Sequence, residues 1–286
     1  MKPEDYLRNK KRIIDNALDR YLPSSHKPPR KLHQAMRYSV FAGGKRIRPI
    51  LAMAAYELVG GKGNSILPVA CALELIHTYS LIHDDLPCMD DDDLRRGKPT
   101  CHRVFGYGMA VLAGDALHAL AFELLAKSDN PKIVVEVANS IGTVGMVGGQ
   151  AADLEAEGKK VNLKEVNFIH IHKTAALLRA CIRVGAILGK ANSKQLKALT
   201  SYGNKFGLAF QITDDILDLE GEERKLGKRV GVDKDKAKAT YPKVIGVERS
   251  KQEAKRLVQS AKKDLKSFKK TGILKQLADF LISRTN

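Results

Sequence analysis

Two aspartate-rich segments hold the residues of this 286-residue chain that are best suited to chemistry, DDLPCMDDDD at residues 84–93 and DDILD at residues 214–218. Ionised carboxylates at this spacing repel each other unless a cation lies between them. Carboxylate oxygens suit Mg²⁺ or Ca²⁺ better than Zn²⁺, and Mg²⁺ is typically held by one or two carboxylates together with the phosphate oxygens of a substrate. The two segments therefore predict a magnesium site that takes a phosphorylated ligand.

The second segment is expected to lie on one helix. Asp214 and Asp218 stand four residues apart, so they share a helical face, while Asp215 is turned partly away. The apolar residues FGLAFQIT that precede this segment are typical of a buried helix. Carboxylates at the end of a buried helix need a partner that offsets their desolvation.

The first segment cannot form one continuous helix, because Pro87 is unfavourable in a helix interior and biases Leu86 away from helical dihedrals. We expect the helix that carries Asp84 and Asp85 to end or bulge near Leu86, and Asp90 to return toward the metal from a loop. The acidic run that follows, taken alone, is interpreted equally well as a solvated surface. An EF-hand is excluded, because neither segment has the alternating ligands, central glycine and terminal glutamate of that loop.

Basic residues in three short segments provide the cations that a diphosphate requires. They are Lys45, Arg46 and Arg48 in GGKRIRP, Arg95 and Arg96 just beyond the first aspartates, and Lys173, which is followed by the hydroxyl of Thr174. Their position beside the acidic segments favours a diphosphate site over scattered surface charge. His77 lies seven residues before Asp84 on the same helical face and is interpreted either as a ligand or as a core histidine. Gln150 and Asp153 are interpreted either as ligand contacts or as a buried structural hydrogen bond.

Helical periodicity runs through almost the whole chain, for example over residues 65–85 and 163–189, and no segment shows the alternation of a strand. The chain is therefore predicted to be all-α, with roughly ten helices separated by glycine and proline. We find no linker and no abrupt change in composition, which predicts a single domain over residues 1–286. The two aspartate segments could face each other across a bundle core, where metal sites are commonly built.

The net charge of +17 raises the question of nucleic-acid binding. The excess is concentrated at the two ends of the chain, and residues 81–220 are nearly neutral. We expect the lysine-rich C-terminal segment to be a solvated helix face and expect no nucleic-acid partner. The four cysteines lack CxxC spacing, the N-terminus lacks a signal-peptide pattern, and no stretch reaches the roughly 18 to 20 apolar residues of a membrane span. These features predict a cytoplasmic protein without a membrane span.

Seven motifs, in their order and spacing, resemble those of the trans-isoprenyl diphosphate synthases, most closely the bacterial farnesyl diphosphate synthase group and its geranylgeranyl relatives. They are GGKRIRP, HTYSLIHDDLPCMDDDDLRRGKPT, LAGDAL, GGQAADL, HKTA, FQITDDILD and LGKRVGVDKDKAKATYP. The resemblance implies an all-α fold of antiparallel helices around a deep central cavity, usually in a homodimer. It also implies the condensation of isopentenyl diphosphate with dimethylallyl or geranyl diphosphate, with three Mg²⁺ ions per site, for which Mn²⁺ can substitute.

The resemblance assigns roles by motif position. The magnesium ligands would be Asp84, Asp85, Asp90, Asp214 and Asp218. The allylic diphosphate would bind Arg95, Lys173, Thr174, Gln211, Lys228 and Lys238, and isopentenyl diphosphate would bind Lys45, Arg48, His77 and Arg96. The catalytic set would be Asp84, Asp85, Asp90, Arg95, Lys173 and Asp214. AKAT at residues 237–240 departs from the more usual Gly-Lys-Ser/Thr-Thr, which makes Lys238 a less secure ligand.

The length of the product is the finest prediction that the chain allows. Tyr79 lies five residues before Asp84, about 7.5 Å along a helix. By resemblance, Tyr79, with Ser80 and the two extra residues in DDLPCMD, forms a floor that stops the growing chain, which predicts (2E,6E)-farnesyl diphosphate as the product. The alternative for Tyr79 is simple packing in the core.

Other functions explain fewer of these residues. Geranylgeranyl diphosphate synthase is the first alternative. A class I terpene cyclase is the second, although it needs no isopentenyl site such as GGKRIRP, and the second aspartate segment argues against it. A catalytically silent subunit of a heteromeric synthase would be expected to lose one aspartate segment. A nucleic-acid-binding helical protein would leave both segments without a role.

Overall fold

The computed structural model describes residues 3–220, 238–269 and 271–283, and its regular structure is almost entirely helical. The α-helices in chain order are α1 (Pro3–Tyr21), α2 (Arg30–Val40), α3 (Ile47–Leu58), α4 (Leu67–Asp84), α5 (Cys101–Phe105), α6 (Tyr107–Ala126), α7 (Pro131–Ile141), α8 (Met146–Ala156), α9 (Leu163–His170), α10 (Ala176–Leu188), α11 (Ser193–Glu220), α12 (Tyr241–Ile245), α13 (Val247–Asp264) and α14 (Gly272–Ser283). The prediction of an all-α protein is confirmed.

Four short elements lie between the described α-helices. A π-helical segment, Ile171–Ala175, joins α9 to α10, and a 3₁₀ turn, Leu265–Ser267, follows α13. Two-residue strands β1 (Leu94–Arg95) and β2 (Lys98–Pro99) pair antiparallel between α4 and α5. Within the described ranges these are the only strands.

Two helices begin at residues whose side chains cap the first turn. Helix α7 starts at Pro131, whose missing amide hydrogen costs nothing at that position, and the Asn130 side chain caps the helix by accepting a hydrogen bond of 3.2 Å from the Lys132 amide. Helix α9 starts with a capping box, in which the Asn162 side chain accepts from the Glu165 amide and the Glu165 carboxylate accepts from the Asn162 amide.

The internal contacts of the chain divide it into two compact units. The described part of unit 1 comprises residues 3–50 and 64–129, and that of unit 2 comprises residues 51–63, 130–220, 238–269 and 271–283. The first aspartate cluster belongs to unit 1 and the second to unit 2. The single domain expected from the sequence stays a prediction.

The core of unit 1 is the packing of α4 along α6. Helix α4 is apolar on nearly every side, and most of its residues are buried. The two helices approach closely at Gly114, because a Cβ added there would lie 2.1 Å from the Nε2 atom of His83. A glycine at this position therefore sets the position of the end of α4, where the first aspartate cluster begins.

The core of unit 2 is built around α11, a helix of 28 residues that packs against α10 and α13. Tyr202 and Phe206 on α11 are fully buried, and the Tyr202 hydroxyl donates a hydrogen bond of 2.7 Å to the Leu274 carbonyl on α14. Burying a tyrosine in this way adds apolar contact while its polar end stays satisfied. This packing holds the helix that carries the second aspartate cluster.

Helix α6 has an unusual surface. Among the described residues it is the one helix that is long and apolar enough, by length and composition only, to cross a bilayer. A buried core helix of a globular protein satisfies the same criterion, so the expectation of no membrane span is opposed by one weak candidate. The outward side chains of α6 include Tyr107, Val111 and Leu112, which are all exposed.

Candidate active site

The first aspartate cluster lies where α4 ends. The helix stops at Asp84, and the following loop folds back so that the Asp90 amide donates to the Asp84 carbonyl at 2.7 Å and the Asp92 amide donates to the Asp85 carbonyl at 3.2 Å. The predicted end of the helix near Leu86 is confirmed. The loop brings the backbone of Asp90 against that of Asp84, as expected from a segment that Pro87 interrupts.

Asp85 is the buried member of this cluster, with 4% of its surface exposed. The Arg95 guanidinium donates from Nε to Asp85 Oδ1 at 2.6 Å and from its terminal nitrogen to Asp92 Oδ2 at 2.9 Å. Burial nevertheless raises the pKa of Asp85 to about 6, although Arg95 opposes the shift. One guanidinium therefore does not fully compensate for the desolvation of this carboxylate, and a further cation would favour its ionised form.

The rest of the acidic run divides into two classes. Asp91 and Asp93 are exposed, and Asp93 forms an ion pair of 3.0 Å with Arg103, which is itself largely exposed. The solvated-surface interpretation is therefore correct for these two residues. Asp84 and Asp90 are half-buried, as a carboxylate that must reach both the protein and a solvent-derived cation would be.

The hairpin of β1 and β2 positions both arginines. Arg96 and Gly97 form its two-residue turn, and both have a positive φ, 54° and 75°. Such turns suit the twist of a two-stranded ribbon. Arg96 lies on the glycines of GGKRIRP, where it donates to the Gly43 carbonyl, and a Cβ added at Gly44 would lie 2.6 Å from a terminal nitrogen of Arg96. Two basic segments that are 50 residues apart in the chain therefore come together in unit 1.

His77 lies among these cations. Burial and then the positive charges of Arg48, Arg96, Arg95 and Arg46 hold the pKa of His77 well below its usual value. At neutral pH the imidazole is therefore neutral and can donate one hydrogen bond and accept one. The positive charges of Arg48 and Arg96 act on His77 within unit 1, and its role as a ligand or as a core histidine stays a prediction.

The second aspartate cluster lies on the last turns of α11. Its central member, Asp215, is buried and accepts hydrogen bonds from the Gln211 side chain at 2.8 Å and from the Tyr241 amide at 3.0 Å. The Nε2 atom of His170 lies 3.4 Å from the same carboxylate. Asp215 is thus directed into the protein, while Asp214 one residue earlier is half-buried, in keeping with the predicted difference in their directions.

Lys173 and Thr174 lie in the π-helical segment. The Lys173 ammonium donates to Asp153 Oδ2 at 2.6 Å, and the Thr174 hydroxyl donates to the Gln211 side-chain oxygen at 2.7 Å. Single π-turns inside α-helices occur frequently at functional sites. The segment packs closely on its neighbours, because a Cβ added at Gly149 would lie 2.1 Å from the Lys173 amide nitrogen.

The remaining predicted residues are placed as follows. Tyr79 on α4 is buried, with 9% of its surface exposed, and the centroid of its ring lies 4.8 Å from that of the His118 ring on α6. The Ser80 hydroxyl donates to the His77 carbonyl at 3.0 Å.

Lys238 is half-buried, and its carbonyl accepts from the Lys243 ammonium at 2.9 Å. Lys228 lies outside the described residues. Asp218 is buried and Lys45 is exposed.

The donor chemistry of the first cluster fits a hard divalent cation. Among the residues that the structure describes, no three His, Cys, Asp or Glu side chains converge closely enough to form a metal site by themselves. Mg²⁺ does not require three, since it commonly keeps several waters and takes one or two carboxylates with substrate phosphates. The buried Asp85, whose pKa is raised to about 6, is an oxygen donor that lacks sufficient positive charge around it.

Sequence reasoning missed several partners in these networks. His170 and Tyr241 bind Asp215, and Asp15 and Glu74 bind Arg46, but neither pair was singled out from the chain. Asp153 carried a signal, the polar pair at mid-helix in GGQAADL, and it turns out to be the partner of Lys173. The other four stand in ordinary helical contexts that give no local signal.

Residues 29–280 match the family model described as Polyprenyl synthetase. The chain belongs to the polyprenyl synthetase family. The chain is 48% identical over 290 residues to a geranylgeranyl diphosphate synthase of Cyanophora paradoxa, and the match covers 98% of this chain and 96% of the relative. It is 46% identical over 272 residues to a farnesyl diphosphate synthase of Geobacillus stearothermophilus, covering 92% and 91% of the two chains.

The fold of the chain is similar to that of solved relatives. The crystal structure of geranylgeranyl pyrophosphate synthetase from Pyrococcus horikoshii matches with a TM-score of 0.87 and 35% identity, over 99% of each chain. The expected membership among the trans-isoprenyl diphosphate synthases is confirmed, and the protein is a prenyltransferase.

Proposed function

We propose that this prenyltransferase is a magnesium-dependent farnesyl diphosphate synthase, which condenses isopentenyl diphosphate with dimethylallyl or geranyl diphosphate. The single observation that carries the product assignment is the buried ring of Tyr79 on α4, five residues before Asp84 and in contact with His118. An aromatic ring at that distance from the reacting diphosphate leaves room for a limited number of prenyl units. The magnesium ions would be held by Asp84, Asp85, Asp90, Asp214 and Asp218.

The allylic diphosphate is the leaving group of the reaction. Arg95 and Lys173 bind its oxygens, and each is already held by a carboxylate of its own unit, Asp85 and Asp153 respectively. Thr174 and Gln211 supply further polar contacts, with Lys238 and the more distant Lys228. Mg²⁺, when bound, supplies the positive charge that stabilises the departing diphosphate.

Isopentenyl diphosphate binds through Lys45, Arg48 and Arg96, with the neutral His77 as an additional hydrogen-bond donor. Breaking the allylic C–O bond leaves an allylic cation and diphosphate. The double bond of isopentenyl diphosphate attacks this cation to form the new C–C bond, and the proton that is then lost passes to the released diphosphate. The surrounding apolar residues exclude water, which would otherwise capture the cation.

Product analysis tests the assignment directly. The protein is incubated with Mg²⁺, labelled isopentenyl diphosphate and either dimethylallyl, geranyl or farnesyl diphosphate, and the chain length of the product is measured. We expect wild-type protein to stop at fifteen carbons and Tyr79→Ala to extend to twenty or more, while Tyr79→Phe, which keeps the ring, still stops at fifteen. An unchanged product from Tyr79→Ala would remove Tyr79 from the role of a floor.

A geranylgeranyl diphosphate synthase is the second candidate, and it is favoured by the 48% identity to the relative of that name from Cyanophora paradoxa. The same assay separates the two functions. Wild-type protein that converts farnesyl diphosphate efficiently to a twenty-carbon product would establish the second candidate and reject the first.

We further propose that the functional form is a homodimer that pairs α6 with its copy. Leu112 and Tyr107 on α6 are 53% and 59% exposed. Neighbouring exposed apolar side chains of this size are typical of a surface that binds another protein. Sedimentation velocity of the wild-type protein should give a dimer, and Leu112→Glu should give a monomer, because a charge at the centre of an apolar interface is unfavourable. A monomeric wild-type protein would contradict this pairing.

A further inference from the structure

The three cations of GGKRIRP occupy three different environments. Lys45 is exposed, Arg48 is half-buried, and Arg46 is buried, with 3% of its surface exposed. A buried guanidinium is strongly unfavourable unless its charge and its hydrogen-bond donors are compensated. Arg46 therefore has a different task from its two neighbours, although all three carry the same charge.

Every nitrogen of the Arg46 guanidinium has a partner in unit 1. Nε donates to Asp15 on α1 at 2.8 Å, one terminal nitrogen donates to Glu74 on α4 at 2.6 Å, and the other donates to the Val40 carbonyl at the end of α2 at 2.7 Å. Burial alone would lower the pKa of Arg46, but Glu74 and Asp15 together raise it above its usual value. The side chain joins three helices, and each of its nitrogens is bonded within the protein.

The three bonds of Arg46 to Asp15, Glu74 and Val40, called the clamp below, also determine the backbone conformation between Lys45 and Arg48. Arg46 adopts a left-handed conformation with a φ of 55°, which residues with a side chain rarely adopt, and its carbonyl accepts from the Ile50 amide at 3.1 Å in the first turn of α3. Such a backbone persists where surrounding contacts over-determine it. Because Lys45 directly precedes Arg46 and Arg48 lies in the first turn of α3 just after it, the direction of both side chains depends on the bonds of Arg46.

Besides bonding Arg46, Glu74 places a negative charge among arginines that repel one another. It is 2% exposed and lies one helical turn before His77. Burial and the charges of Arg46, Arg95 and Arg48 lower the pKa of Arg96, and Glu74 opposes this shift. Its Oε2 atom is buried and accepts no hydrogen bond from any side chain or amide in the described ranges. The carboxylate thus offsets the mutual repulsion of the cations before a diphosphate arrives.

We propose that Asp15 and Glu74 are positioning residues for isopentenyl diphosphate, which act through Arg46 to hold Lys45 and Arg48 in the geometry that binds the diphosphate. The inference deepens the proposed function and rests on it, because it assumes that Lys45 and Arg48 bind this substrate. Neither carboxylate touches the substrate. Their removal is therefore expected to weaken the binding of one substrate and to leave the chemical step nearly intact.

Steady-state kinetics with Glu74→Gln and Asp15→Asn test the proposal, because both variants keep the shape of the side chain and remove its charge. We expect KM for isopentenyl diphosphate to rise about tenfold in Glu74→Gln, with kcat and KM for the allylic substrate changed by less than about threefold. The effect of Asp15→Asn should have the same pattern and be smaller, since Asp15 is the more exposed partner. Arg46→Lys, which keeps the charge but cannot bond three helices, should also raise this KM.

Glu136→Gln is the matched control. Glu136 and Arg183 in unit 2 form a two-point ion pair with distances of 2.6 and 2.9 Å, so the variant also removes a partly buried ion pair but does not alter the cations of GGKRIRP. Melting temperatures of all variants are measured by circular dichroism. If Glu74→Gln and Glu136→Gln lower the melting temperature but both leave KM for isopentenyl diphosphate unchanged, Glu74 is only a structural residue and the proposal is wrong.

Lys45→Ala and Arg48→Ala separate failure of this proposal from failure of the proposed function. If these two variants raise KM for isopentenyl diphosphate while Glu74→Gln and Asp15→Asn do not, the substrate site stands and the clamp is rejected. If Lys45→Ala and Arg48→Ala also leave this KM unchanged, the site assignment is rejected together with the clamp. If Glu74→Gln does not fold, KM of Asp15→Asn for isopentenyl diphosphate decides the proposal: a raised KM supports it and an unchanged KM rejects it.

Discussion

The two aspartate clusters reach their geometry in different ways. In the first, α4 ends at Asp84 and backbone hydrogen bonds of the following loop return Asp90 to the end of the helix. In the second, Asp214 and Asp218 remain on the uninterrupted helix α11, where the helical repeat alone sets their spacing. One cluster is therefore shaped by a loop and the other by a helix.

The clusters also differ in how their buried carboxylate is compensated. Asp85 has Arg95 as its cationic partner, and burial still raises its pKa to about 6. Asp215 is bonded by a glutamine side chain and by the amide of Tyr241, and His170 lies beside it. From this difference we expect Asp85 to be a cation ligand and Asp215 to be a structural anchor of α11.

The largest expected effect tests whether both clusters are needed for chemistry. We expect Asp85→Asn and Asp214→Asn each to lower kcat by about a thousandfold or more, roughly 4 kcal/mol in the activation free energy, because each removes charge that would hold a cation at the leaving group. Incorporation of labelled isopentenyl diphosphate into product measures the loss. Asp93→Asn is the control within the same acidic run, and it should retain activity because Asp93 is exposed and paired with Arg103. Full activity of Asp214→Asn would limit the catalytic role to the first cluster.

A pH titration of stability examines the second cluster. Burial is the main cause that lowers the pKa of His170 to about 4, below the 6.5 of an unfolded chain, so the unfolded state binds the extra proton first as the pH falls. The folded state should lose about 3 kcal/mol of unfolding free energy between pH 6.5 and pH 4, and the loss should be complete below pH 4. Urea unfolding at several pH values measures it. His170→Gln should remove this part of the pH dependence, and an equal acid sensitivity in the variant would assign the loss to other groups.

Asp215→Asn tests whether Asp215 is an anchor instead of a cation ligand. An asparagine keeps the bond from the Tyr241 amide through its oxygen but directs its amide hydrogens at the donor nitrogen of the Gln211 side chain, so we expect about 1 to 3 kcal/mol of lost stability. Activity measured well below the melting temperature should fall less than in Asp214→Asn. Loss of activity as large as in Asp214→Asn, with unchanged stability, would make Asp215 part of the cation site.

The smallest expected effect concerns the π-helical segment near the second cluster. Gly149→Ala places a Cβ 2.1 Å from the Lys173 amide nitrogen, so the segment must shift and carry Lys173 with it. We expect about a tenfold lower kcat/KM for the allylic substrate, roughly 1.4 kcal/mol. Gly272→Ala is the matched control, because an added Cβ there meets no atom within 4 Å. An equal kcat/KM for the two variants would show that activity does not depend on this shift of Lys173.

Much of the first cluster was predictable from local chemistry. Proline sterics predicted the end of α4 near Leu86, and helical periodicity predicted the helix of the second cluster. The partners of Arg95 and Lys173 were less predictable. Asp85 lies ten residues from Arg95, and Asp153 lies twenty residues from Lys173 on another helix. Pairing across that distance depends on how helices pack, which no local pattern encodes.

The sequence by itself determined the helical class, the carboxylate and cation chemistry, and the break at Pro87, because periodicity, charge and backbone sterics act over a few residues. Only the tertiary structure decided which of three neighbouring cations is buried. Arg46 differs from Lys45 and Arg48 because its partners Asp15 and Glu74 lie 31 and 28 residues away on α1 and α4. A guanidinium can leave water only where folding has already brought its counter-charges together, and that is a property of packing.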